Sequence, residues 1–162
     1  MAGLARACAS ISRPHRQTDM EAGVLLLTGT SGVAIGGQAL LLEGAPGCGK
    51  SSLALALVDR GAVLIGDDRV VLTKVGGSVV AAPPPRIAGL LEIRNVGLVT
   101  LPTTTAPAAL ILHLEPEAPR FPETPVTRKL LGVPVPVLHF RGGDAVQAVR
   151  AEHALRVHGL AL

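Results

Sequence analysis

The run Gly44-Ala45-Pro46-Gly47-Cys48-Gly49-Lys50-Ser51 satisfies the pattern G-x-x-x-x-G-K-[ST] in full. A loop of this kind meets the charge of a phosphate tail with successive backbone N–H groups and with the positive end of the helix that follows. Glycines at 44, 47 and 49 permit that conformation and keep bulky side chains out of the way. In that chemistry all eight residues of the loop bind the nucleotide cofactor, Lys50 reaches the β- and γ-phosphates, and the Ser51 hydroxyl holds Mg²⁺. A chain with 19 glycines can match such a pattern by accident. The setting argues otherwise, because an apolar run, Ala39 to Leu42, leads directly into the loop and a helical pattern leaves it.

Phosphoryl transfer also needs an acid near the metal, an acceptor for the attacking proton and a cation for the spreading charge. Asp67-Asp68 closes the next apolar strand. If that strand lies parallel beside the loop strand, both carboxylates reach the phosphate end of the sheet, one for the metal or its waters and the other for the proton. The sequence leaves open which is which. Glu92 and Arg94 alternate with Leu91 and Ile93. That spacing places them on one strand face as a second metal-contacting acid and a charge-stabilising arginine.

These residues have to be held by a scaffold richer in strand than helix. Val24 to Leu27 and Val33 to Ile35 read as short strands, and Gly36-Gly37 turns the chain into Ala39 to Leu42, so a hairpin leads to the loop. Ser51 to Arg60 is a helix in which Leu53 and Leu57 stack, and Gly61 stops it. Ala62 to Ile65 is a buried strand, and Val70 to Val75 with Ser78 to Ala81 is a hairpin around Gly76-Gly77. Leu90 to Thr100 starts a second compact unit, and Ala109 to Leu114 is another buried strand. Pro116, Pro119, Pro122 and Pro125 impose an extended loop, and Val133 to Phe140 reads as an edge strand because of its prolines. Asp144 is read as the N-cap of a terminal helix reaching Val157, with Val146, Val149, His153 and Val157 along one face.

At 162 residues, with 48% hydrophobic and 17% charged residues, one domain is expected over 20–162 behind a loose tail over 1–19. Met20 is an alternative translation start, which N-terminal sequencing would settle. The net charge of +3 is scattered, and the aromatics are only Phe121 and Phe140, which argues against nucleic-acid binding. No apolar run is long enough for a membrane span. Cys8 and Cys48 stand in unrelated contexts and suggest neither a disulfide nor zinc, so a reducing cytoplasm is expected.

Two segments, GAPGCGKSSLALALVDRGAVLIGDDRVVL and LLEIRNVGLVTL, resemble the two signatures of the HPr kinase/phosphorylases, in the C-terminal catalytic domain found in short alphaproteobacterial-type forms. The resemblance extends over about residues 24 to 140. It implies an α/β, β-rich P-loop domain of the phosphoenolpyruvate-carboxykinase-like type. It also implies ATP- and Mg²⁺-dependent phosphorylation of a serine on the phosphocarrier protein HPr, in a cytoplasmic hexamer. Carried over by position, Lys50 and Ser51 keep their loop roles, Asp67-Asp68 supply the proton acceptor, Glu92 contacts metal and Arg120 matches a catalytic arginine.

The family's histidine before the phosphate loop has no counterpart in Leu27 to Val33, and its arginine-rich C-terminal residues for phosphate removal are not matched by Val135 to His139. The separate N-terminal domain of full-length members is not matched either. Kinase activity is therefore expected more firmly than phosphorylase activity. A nucleotide-binding regulatory module and a small-molecule kinase are the alternatives.

Overall fold

The computed structural model describes residues 17–21, 23–122 and 124–162, with side chains from residue 23 onward. In chain order the elements are β1 (Gln17–Glu21), β2 (Val24–Thr28), β3 (Ser31–Ile35), β4 (Gln38–Gly44), α1 (Lys50–Asp59), β5 (Val63–Gly66) and β6 (Arg69–Val75). There follow β7 (Ser78–Ala82), β8 (Leu90–Ile93), β9 (Gly97–Thr100), β10 (Ala106–Leu114), β11 (Val126–Leu130), β12 (Val133–Phe140) and α2 (Gln147–His158).

Ten of the strands form two layers that share β10, and β8 and β9 make a separate two-stranded sheet. Its first residues, Ala106 and Pro107, pair antiparallel with β7 and complete the layer β1-β2-β6-β7. The rest of β10 runs parallel between β4 and β12 and so joins β5-β3-β4 to β12-β11. β4 is buried on both faces, which is why it reads as an unbroken apolar run. Leu40 and Leu42 join the cluster under α1 and α2, whereas Ala39 and Leu41 join the cluster between the two layers. The result is an α/β domain rich in strand, as the sequence implied. Among the described residues no helix is long and apolar enough to cross a membrane.

The local signals operate as read in several places. Gly36 and Gly37 both have positive φ, 56° and 81°, and turn β3 into β4. α1 ends at Gly61, at φ 102°, where the Gly61 and Ala62 amides bond back to the carbonyls of Val58 and Leu57.

Other expectations are corrected. Gln17 to Asp19, assigned to the tail, pair with β2 in β1; residues 1–16, including Cys8, lie outside the described residues. β12 is no edge strand: it lies between β10 and β11. It tolerates Pro134 and Pro136 because that half pairs with β11 alone and the β10 pairing begins at Val137. Asp144 is not the N-cap of α2, a place taken by Val146; its Oδ1 accepts the Val146 N–H at 3.0 Å and its Oδ2 accepts from Arg150 at 2.6 Å. The face traced by Val146, Val149, His153 and Val157 is not the one that packs inward. Val146 and Val157 are exposed, and Ala148, Ala151, Ala154 and Leu155 go inward, since small residues let α2 lie close to its neighbours. Arg60, the C-cap of α1, and Glu152 of α2 brace the two helices through two hydrogen bonds of 2.8 and 2.9 Å.

Candidate functional site

β4 delivers the chain to the loop, and α1 carries it away. Gly44, Gly47 and Gly49 have φ of 144°, 77° and 99°. A Cβ at Gly47 or Gly49 would meet no protein atom within 4 Å. These glycines therefore serve the backbone conformation and the open space in front of the loop, which is where a phosphate chain fits. Gly49 is the N-cap of α1, with no side chain capping it, so the first amides of the helix are presented to the loop. Lys50 Nζ donates to the carbonyls of Gly44 and Ala45 at 3.1 and 3.2 Å and lies 3.9 Å from the Sγ of Cys48, a free thiol.

The acidic pair reaches the loop by a route other than the one expected. β5 does not lie beside β4: β3 runs between them, antiparallel to both. Two antiparallel steps make β5 parallel to β4, so Asp67 and Asp68 still emerge at the phosphate end. They also emerge next to the start of β3, and this brings in a residue that sequence reasoning missed. Ser31, fully buried, donates to Asp67 Oδ1 at 2.8 Å, and Ser51 donates to the same oxygen at 2.7 Å. Ser31 Oγ also accepts the Asp68 N–H at 3.3 Å. Asp68 is in the left-handed region at φ 60°, and its carbonyl accepts the Gly29 N–H at 2.7 Å. Two partners thus hold Asp68 in a conformation that non-glycine residues seldom adopt. Asp67 is half-buried, whereas Asp68 is exposed. In the stretch where the resemblance led one to look for a histidine, the group that meets the acidic pair is the Ser31 hydroxyl.

Loop and acids share a cavity of about 810 Å³, lined by Ser31, the residues from Pro46 to Ser52, Leu55, Asp67, Asp68, Glu92, Ile93, Arg94, Gly143 and Gln147. Glu92 and Arg94, distant in sequence, are thus brought to the loop. They do not share a strand face, because β8 ends at Ile93 and Arg94 belongs to the turn that follows. Gly143 and Gln147 come from the far end of the chain, and Gln147 Oε1 accepts the Gly143 N–H at 2.8 Å. Nothing in their sequence marks them as site residues. Arg120 does not line the cavity; it is exposed, with its guanidinium 5.4 Å from the centre of the Phe121 ring.

The donor set fits a nucleotide with a divalent cation. The glycine-lined loop and Lys50 suit phosphate oxygens, and the adjoining Ser51 hydroxyl and Asp67 carboxylate are hard oxygen ligands of the kind magnesium takes.

Comparison with known proteins agrees with this arrangement. The family model of the HPr Serine kinase C-terminal domain matches residues 27–106, which include the loop, Asp67-Asp68, Glu92 and Arg94 but not Arg120. The chain is 38% identical over 118 residues to the HPr kinase/phosphorylase of Lacticaseibacillus casei, covering 64% of this chain and 37% of that one. To the HPr kinase/phosphorylase of Polaromonas naphthalenivorans it is 31% identical over 137 residues, 74% of this chain and 43% of that one. It therefore spans well under half the length of these relatives. The structure of the Hpr(Ser) kinase/phosphatase from Coxiella burnetii superposes with a TM-score of 0.69 at 25% identity, covering 80% of this chain and 93% of that chain. Domain, relatives and fold agree: over residues 27–106 the chain matches the HPr Serine kinase C-terminal domain, the part through which it is similar to the HPr kinase/phosphorylases.

Proposed function

We propose that the chain binds ATP with Mg²⁺ and transfers the γ-phosphoryl group to a serine hydroxyl of an HPr-like phosphocarrier protein. The observation that carries this reading is the convergence of Ser51 and Ser31 on Asp67 Oδ1, at 2.7 and 2.8 Å, in the cavity that also receives Asp68, Glu92 and Arg94.

On this reading the loop amides and Lys50 hold the phosphates, and Ser51, Asp67 and Glu92 are the residues to hold magnesium. The cation, when bound, offsets charge on the phosphate oxygens. Asp67 is already engaged by two hydroxyls, whereas Asp68 is exposed, so Asp68 is assigned the proton of the acceptor serine. The serine oxygen forms the new P–O bond as the bond between the γ-phosphorus and the β–γ bridging oxygen breaks. The serine proton goes to Asp68, and ADP leaves. Arg94 supplies positive charge to the transferring group. Arg120 enters the proposal only by family resemblance, as do the hexameric assembly and the cytoplasmic location.

Calorimetric titration with ATP and Mg²⁺, on the wild type and Lys50→Ala, tests the binding step, and phosphate transfer to HPr tests the reaction. Lys50→Ala is expected to abolish both, and unchanged affinity and activity in that variant would refute the phosphate-loop reading. Binding without transfer to HPr would favour the regulatory module, and transfer to small alcohols alone would favour a small-molecule kinase.

A further inference from the structure

Behind the phosphate loop, on the face of the β4 layer away from the helices, is a buried charge that the proposed reaction leaves unused. Glu43 immediately precedes Gly44 and is only 4% exposed. Alternation along β4 sends Glu43 to the same side as Ala39 and Leu41, into the space between the layers. There Oε2 accepts from Arg128 Nη1 of β11 at 2.6 Å, and Oε1 lies 3.2 Å from His113 Nδ1 of β10. His113 is opposite Glu43 in the parallel register and opposite His139 of β12 on its other side. The two rings meet edge to face at 5.5 Å, and His139 Nδ1 lies 2.6 Å from Glu115 Oε1. A carboxylate this deep is tolerated only when paired. Its partners come from two other strands, so the residue of β4 that precedes the loop is fixed to both.

The next residue is confined as well. A Cβ on Gly44 would lie 2.6 Å from the Leu114 carbonyl oxygen and 2.7 Å from Cys48 Sγ. The Gly44 carbonyl is also one of the two that receive Lys50 Nζ. The carboxylate held by Arg128 and His113 thus belongs to the residue whose neighbour positions the loop lysine.

We propose that Glu43, clamped by Arg128 and His113, is a positioning residue for the phosphate loop, fixing Gly44 and through its carbonyl the place from which Lys50 meets phosphate. This inference rests on the reading of Gly44–Ser51 as a nucleotide-phosphate site.

The test is the dissociation constant for ATP with Mg²⁺ in the full chain, measured well below each variant's unfolding midpoint. Glu43→Gln and Arg128→Ala are expected to weaken binding about tenfold or more, whereas Arg128→Lys, which keeps a cation near Oε2, stays within about threefold of wild type. A clamp that is structural only would lower the unfolding midpoint without changing the affinity of the folded protein. The double variant Glu43→Gln/Arg128→Met leaves no buried charge unpaired and carries the test where a single variant does not fold. It too is expected to bind about tenfold more weakly. Wild-type affinity in the folded variants would overturn the inference. Lys50→Ala separates the two levels. If it binds ATP as the wild type does, the phosphate-site reading fails and this inference with it. If it loses binding while the Glu43 variants keep theirs, this inference alone fails.

Discussion

Replacement of Asp67 by Asn separates its structural role from its chemical one. Both hydroxyls, from Ser31 and Ser51, donate to the same oxygen, Oδ1. An asparagine whose carbonyl oxygen takes that position still accepts both hydrogen bonds, and only the charge and the second oxygen are lost. A hydrogen bond to a charged group contributes about 1.5–3 kcal/mol and a neutral one about 0.5–1.5, so two weakened bonds would cost about 2–3 kcal/mol in a fully buried site. Asp67 is only half-buried, which reduces that to about 1 kcal/mol. Asp67→Ala, by contrast, deprives the fully buried Ser31 hydroxyl of its acceptor and should cost about 3 kcal/mol. Urea unfolding should therefore rank the proteins wild type, Asn, Ala. Phosphate transfer to HPr at saturating ATP should instead fall at least about 100-fold in both variants, because both lose the carboxylate beside the metal position. An Asn variant that keeps transfer within about threefold of wild type would refute the role given to Asp67, whatever its stability.

Asp68→Gly should leave stability unchanged or raise it by up to about 1 kcal/mol, since φ 60° suits glycine, while transfer falls about 100-fold; paired unfolding and transfer assays read both. Gly44→Ala should destabilise the fold by about 1–3 kcal/mol and abolish ATP binding, because its Cβ would be 2.6 Å from a backbone carbonyl; denaturant midpoints and calorimetry check this. Burial, the largest influence on Glu43, would raise its carboxyl, but hydrogen bonds and charge from Arg128, then His113, outweigh it and hold the group below its ordinary 4.5. A carboxyl depressed by folding contributes its full stability above that ordinary value and loses it as pH falls through the depressed one. Wild-type stability should therefore drop below about pH 4.5 more steeply than that of Glu43→Gln, as measured by urea midpoints across pH.

What could be read from the sequence is what short stretches specify. The loop, the Gly36-Gly37 turn and the Gly61 stop depend on neighbours in the chain, and each appears in the structure where it was read. Contacts between strands distant in sequence were not legible. Ser31 is a polar residue between two short strands until β3 is seen to lie between β4 and β5. Glu43 looks like a charge ending an apolar run until Arg128 and His113 converge on it from β11 and β10. β11, Val-Thr-Arg-Lys-Leu, is largely polar at a sheet edge and gave no strand signal, so nothing opposed the reading of β12 as an edge from its prolines. In α2 the face traced by the valines and His153 marked a helix but not its packed side, which is made by the alanines and Leu155.

The most direct test of the proposed reaction is incubation of the purified full chain with γ-labelled ATP, Mg²⁺ and the HPr protein of the same organism, followed by mapping of the labelled residue. The account predicts label on one serine of HPr, lost in Lys50→Ala and in Asp68→Asn. Label on no HPr serine, from a protein that binds ATP and is fully folded, would contradict it.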